Sequence, residues 1–110
     1  MNRPAIGVLK HRLVLEAPGG TPDDAGGVAV AWTTAATVWA AVRTLGLREA
    51  MTAAAALDGA ATHRITLRAG GTVESGMRFR AGARTFRVLA VERAAHGGRF
   101  TECLCEEGGT

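Results

Sequence analysis

Val38-Trp39-Ala40-Ala41-Val42-Arg43, an alanine-rich run from Leu47 to Asp58, and Thr62-His63-Arg64-Ile65-Thr66-Leu67-Arg68 form the stretch whose reading decides the fold. In the last segment His63, Ile65 and Leu67 fall on one parity, and Thr62, Arg64, Thr66 and Arg68 on the other. Period-two alternation describes a strand with one buried face. Val38, Ala40 and Val42 alternate in the same way against Thr37, Trp39, Ala41 and Arg43. Between these strands Leu47, Ala50, Met51, Ala54 and Leu57 follow helical spacing, and Ala53 to Ala56 have the highest helix propensity. Gly59 is placed to cap that helix in the left-handed region. A helix this short is marginal in water, so its apolar stripe must dock, on its own domain or on a neighbour.

Outward from this centre the pattern repeats. Val8 to Glu16 is a strand candidate, with Leu9, His11, Leu13 and Leu15 on one face. Ala17 to Gly27 reads as a loop, because it is dense in Gly, Pro and Asp. Its glycines form neither G-x-x-x-x-G-K-[ST] nor G-x-G-x-x-G, which argues against a phosphate loop. Val28 to Trp32 alternates as a separate short strand. Met77-Arg78-Phe79-Arg80 and Thr85-Phe86-Arg87-Val88 flank a turn containing Gly82. Val88 to Val91 is apolar on both parities, as in a doubly covered strand or a bulge. His96-Gly97-Gly98 turns into a final strand, Phe100 to Glu106. The expected fold class is mainly β: a small antiparallel β-barrel or sandwich with one short α-helix. Residues 1–7 and 108–110 read as flexible ends. Val28, Val30, Val38, Val42, Ile65, Leu67, Phe86 and Val88 are the expected core, and Trp32 and Trp39 the expected core or half-buried anchors.

Length and charge set bounds. The 110 residues suggest one domain, and 47% hydrophobic against 21% charged residues is a globular composition. Much of the apolar content is Ala, so the core is thin and oligomer formation is a natural remedy. The net charge is +3, with Lys10 the only lysine. Between Arg64 and Arg99 eight arginines stand against Glu74 and Glu92, whereas Glu102, Glu106 and Glu107 make the end acidic. A clustered basic face attracts phosphates or an acidic partner. No secretory signal is visible, and no apolar run reaches the length of a membrane span.

Chemistry is sparse. Ser75 is the only serine, tyrosine is absent, and His11, His63 and His96 lie in separate elements, so nothing points to a nucleophile–base pair. His63 reads as a hydrogen-bonded core or rim histidine. Cys103 and Cys105 share a strand face, which suits two buried thiols in a reducing compartment better than a disulfide. Cys103-x-Cys105 with His96 is not a zinc-knuckle spacing, and Asp23-Asp24 lacks the ligand pattern of a calcium loop. Neither an enzyme nor a bound cofactor is expected.

The order of these segments resembles the phage head–tail joining family, the head closure or stopper proteins of tailed phages. The likeness is carried by Leu9-Lys10-His11-Arg12-Leu13, by Asp24-Ala25-Gly26-Gly27 followed by Trp32, and by Val38-Trp39-Ala40-Ala41-Val42. It continues through Gly46-Leu47-Arg48-Glu49-Ala50, His63-Arg64-Ile65-Thr66-Leu67-Arg68, the hairpin around Gly82 and Cys105-Glu106-Glu107. The resemblance implies a β-barrel subunit in the neck of a tailed phage or gene transfer agent. There it would form a homo-oligomeric ring around the DNA channel, between portal–adaptor and tail-end proteins. Localisation would be the particle neck, with assembly in the host cytoplasm and no membrane partner. A small OB-like nucleic-acid-binding barrel and a neighbouring adaptor or tail-end component are the alternatives. The candidate contacts, with channel DNA or between subunits, are Arg64, Arg68, Arg78, Arg80, Glu102, Glu106 and Glu107.

Overall fold

The computed structural model describes residues 9–22, 28–57 and 59–108. In chain order these form β1 (His11–Pro22), β2 (Val28–Thr44), α1 (Leu47–Ala56), β3 (His63–Arg68), β4 (Arg78–Ala81), β5 (Arg84–Ala94), a single-turn α2 (Ala95–Gly98) and β6 (Phe100–Gly108). The strands close an antiparallel barrel in the order β1-β2-β3-β6-β5-β4, so the barrel form of the expected fold is the one realised.

The interior is filled by the inward parity of every strand. Leu13, Leu15, Ala40, Ile65, Leu67, Phe79, Phe86, Val88, Cys103 and Cys105 are buried there with Val73, which arrives from the β3–β4 connection. Ile65, Leu67, Phe86 and Val88 stand where alternation put them, while Val38 and Val42 are half-buried against the cluster. Val28 and Val30 are placed only by their backbone pairing with Pro22 and Gly20. The register of β5 on β6 shifts between Val88 and Ala90. That bulge leaves Val88 inside the barrel and Leu89 in a second apolar layer outside it.

Two readings of the first strands are corrected. Ala17 to Pro22 is not loop: it pairs residue by residue with Val28 to Thr33, from Ala17 opposite Thr33 to Pro22 opposite Val28. Val28–Thr44 is one strand of 17 residues, not two. Since β1 meets β4 only at Val14, Leu15 and Glu16, the stretch beyond is a two-stranded ribbon leaving the barrel wall. Prolines are tolerated there because the outer edge of such a ribbon has no neighbour needing its N–H groups. The expected loop residues 23–27, the leader 1–7, and residues 109–110 lie outside the described residues. Gly108, expected in the loose end, pairs with Thr85 in β6.

Helix α1 lies on the outside of the barrel. Ala53 is buried and Ala50 and Leu57 half-buried, over Leu45, Ala61, Leu89 and Leu104. The expected stripe is therefore rotated: Ala50, Ala53 and Leu57 face the wall, and Leu47 and Met51 remain 78% and 64% exposed. The helix ends at Leu57, whose N–H donates to the Ala53 carbonyl at 2.9 Å, before Gly59 is reached. Gly59 serves close approach rather than capping, since a Cβ there would sit 3.0 Å from the Leu89 side chain at a φ of +139°.

Candidate functional site

The outward parity of the strands carries most of the charge, and most of it is paired within the chain. Glu16, buried on β1, accepts from Arg78 Nε at 2.7 Å and Arg80 Nε at 3.0 Å on β4. This clamp spans the shortest seam of the barrel, where β1 and β4 share three register pairs. Burial pushes the Glu16 carboxyl up, but the two guanidinium hydrogen bonds and charges outweigh it and hold the group below its usual value. Arg78 also lies over the Trp32 ring, 4.2 Å from its centroid, tying the base of the ribbon to β4.

A second cluster seats the helix. Glu49, in the first turn of α1, accepts from Arg43 Nη1 and Nη2 at 3.1 and 3.0 Å, from Arg64 Nη2 at 3.4 Å and from the Gly46 N–H at 3.1 Å. These donors, Arg43 first and then Gly46, pull its carboxyl down to about 2. Arg64 Nη1 further donates to Glu102 at 3.0 Å, while its buried Nε has no partner. Because Arg43 and Arg64 are register partners on β2 and β3, Glu49 fixes the rotation of the helix about its own axis. With Glu49 held there and Ala53 against the wall, the larger residues Leu47 and Met51 point away from it. Along β5 and β6, Arg84 holds Glu107 at 2.7 Å and Arg87 holds Glu106 at 2.7 Å.

The seven candidate residues thus separate. Arg64 pairs with Glu102, Arg78 and Arg80 both pair with Glu16, and Glu106 and Glu107 are held by Arg87 and Arg84. Arg68 is exposed and makes no ion pair among the described residues. The partners Glu16 and Glu49 escaped sequence reading. Glu49, three residues after Gly46, carried a helix-start signal; Glu16 carried none, because its partners lie more than sixty residues away.

The aromatic reading needs one correction: Trp39 is 58% exposed, whereas Trp32 is half-buried. Trp39 stands on the outward parity of β2, opposite Arg12, where no described element covers it. His63 is buried, with Thr62 Oγ1 2.8 Å from Nδ1 and its ring edge-on to Phe86 at 5.1 Å. Burial depresses its pKa against the opposing pull of Glu107, which favours the neutral ring. Cys103 and Cys105 are free thiols in the barrel interior; burial pushes Cys103 up to about 12 and Cys105 higher still. Such thiols are inert side chains of the core. Among the described residues no three His, Cys, Asp or Glu side chains gather as a metal site, and no helix is long and apolar enough to cross a membrane.

Comparison with known proteins gives the same direction as the segment order. A family model described as phage head completion protein matches residues 4–108. A solution structure of a Shigella flexneri 2a protein superposes with a TM-score of 0.73 at 25% identity, covering 96% of this chain and 98% of that one. A chain in the virion of a native gene transfer agent particle superposes with a TM-score of 0.64 at 29% identity, covering 92% of this chain and 96% of that one. No curated protein matches the sequence significantly.

Proposed function

Because this chain belongs to the phage head completion protein family, we propose that it is a structural subunit in the neck of a tailed phage or gene transfer agent particle. In this reading it forms a homo-oligomeric ring around the DNA channel, between the portal–adaptor complex and the tail, and has no catalytic role. The observation that carries the reading is the near full-length likeness to a chain of a gene transfer agent virion.

Two features of the surface support a ring. Leu47 and Met51 form an apolar helix face that no other described residue covers. The ribbon projects from a different part of the barrel, and two-stranded ribbons alone are marginal in water. Unlike surfaces at different places favour head-to-tail contacts, which close into rings. Intrachain pairing of Glu102, Glu106 and Glu107 moves the proposed subunit contact from those carboxylates to the Leu47–Met51 face. Paired Arg64, Arg78 and Arg80 would offer passing DNA a nearly neutral wall, which suits transit better than a row of bare cations.

The alternative nucleic-acid-binding barrel draws on exposed Trp39 beside Arg12. Phe79, Phe86 and Phe100 are buried, so the stacking path of a single-strand binder has one open aromatic and half-buried Trp32. Reconstruction of the assembled particle tests the proposal. A ring of this chain on the channel axis is the expected result, and one isolated copy, or none, overturns it.

A further inference from the structure

Among the described residues, two arginines without an ion pair flank an exposed tryptophan. Six arginines are held by five glutamates: Arg43, Arg64, Arg78, Arg80, Arg84 and Arg87 are all taken up in ion pairs. Arg12 and Arg68 are exposed and have no carboxylate within ion-pair distance among the described residues. Arg12 is the register partner of Trp39. On the other side, the register that sets Ala40 opposite Leu67 carries Trp39 level with Arg68. The rung Arg12–Trp39–Arg68 therefore crosses β1, β2 and β3 on their outer face. Adjacent strands are about 4.8 Å apart, so the two arginine strands stand about 10 Å apart with the indole between them. Lys10, two residues before Arg12, is exposed, and so is Arg99, whose carbonyl accepts from the Ala69 N–H at 3.0 Å beside the end of β3.

We propose that this rung is the docking site for an acidic segment of a different protein of the particle. The proposal deepens the neck reading and rests on it for the setting. A large indole left in water between unneutralised guanidinium groups is the composition of an interface centre, where Trp and Arg carry most of the binding energy. The partner's carboxylates would meet Arg12 and Arg68 while an apolar side chain covers the indole. Duplex DNA fits less well, since its phosphates need no aromatic surface and its bases are stacked out of reach. A second copy also fits less well through its described residues: its glutamates at 16, 49, 102, 106 and 107 are occupied by its own arginines, leaving among those residues only Glu74 and Glu92 as separate exposed groups.

The test uses particles carrying the full chain with the photo-crosslinker p-benzoylphenylalanine at position 39, followed by mapping of the crosslinked peptide. The expected product joins position 39 to an Asp- or Glu-bearing segment of another particle protein. The double variant Arg12→Glu/Arg68→Glu should lower the amount of this chain on purified particles at least tenfold. Glu74→Arg, a charge reversal at an exposed residue on the β3–β4 connection, should change it less than twofold. A crosslink to DNA, to a second copy or to a segment without carboxylates overturns the proposal, as does undiminished incorporation of the double variant. If the wild-type chain is absent from particles, the neck reading falls with it; if the chain is present but position 39 maps elsewhere, only this proposal falls.

Discussion

The interior of the barrel and the layer beneath the helix are both apolar, yet they are built on different principles. Phe79, Phe86, Leu13, Leu15 and Ile65 come from four strands, are at most 2% exposed, and interlock without help from outside. The outer layer rests on Ala53, Ala61 and Leu45, each 4–8% exposed, and leaves two larger side chains of the same helix in water. The contrast teaches that the two layers are held by different means. Large residues close the barrel. The small ones let α1 lie close to the wall, and Glu49 adds ion pairs to Arg43 and Arg64 at its first turn.

Substitutions inside the barrel should have the largest effect. Phe79→Ala should cost about 3–5 kcal/mol and Ile65→Ala about 2–5 kcal/mol in denaturant unfolding. Costs within noise would mean that the interior is no better packed than the outer layer. Next comes the seam. Glu16→Gln should cost about 2 kcal/mol, less than the ~3–5 of a fully buried pair because Arg80 reaches water. Since the Glu16 carboxyl is held below its usual value, its contribution is complete above the ordinary carboxylate range and lost as pH falls through the lowered value. The wild type should therefore lose more stability on acidification than Glu16→Gln, and identical pH profiles would remove the seam from the account.

Smaller effects belong to the helix. Ala53→Gly should cost about 1 kcal/mol from helix propensity and lost contact. Hydrogen exchange should then show α1 opening at lower free energy than the barrel strands, and equal protection of the two would erase the distinction drawn between the layers. Leu47→Ser with Met51→Ser should change the stability of the isolated subunit by less than about 0.5 kcal/mol, as exposed substitutions do. The same double variant should reduce ring formation on particles. A large loss of subunit stability would show that the face is already in use within the chain.

Legibility followed locality. The alternation of Thr62–Arg68 and of Val38–Val42, the Gly82 hairpin and the buried parity of His63 were readable, because each depends on neighbours within a few residues, whereas pairing with β6 chose the bulge over a doubly covered strand at Val88–Val91. The ribbon was not, because Gly19, Gly20 and two prolines look like a loop until a partner strand is placed beside them. Rotation of α1 was hidden for a related reason. Helical spacing marks two overlapping apolar stripes, and the choice between them is made by arginines on β2 and β3.

By itself the sequence determined the β-rich class, the inward parity of the central strands, the helix between them and the segment order that leads to a head completion family. Tertiary structure alone decided which arginines are neutralised, that Trp39 stands in water, and which helix face is left open. Backbone periodicity is a short-range property, written wherever side chains alternate. Charge pairing and exposure depend on residues brought together from opposite ends of the chain, as Glu16 meets Arg78 and Arg80 only when the barrel closes.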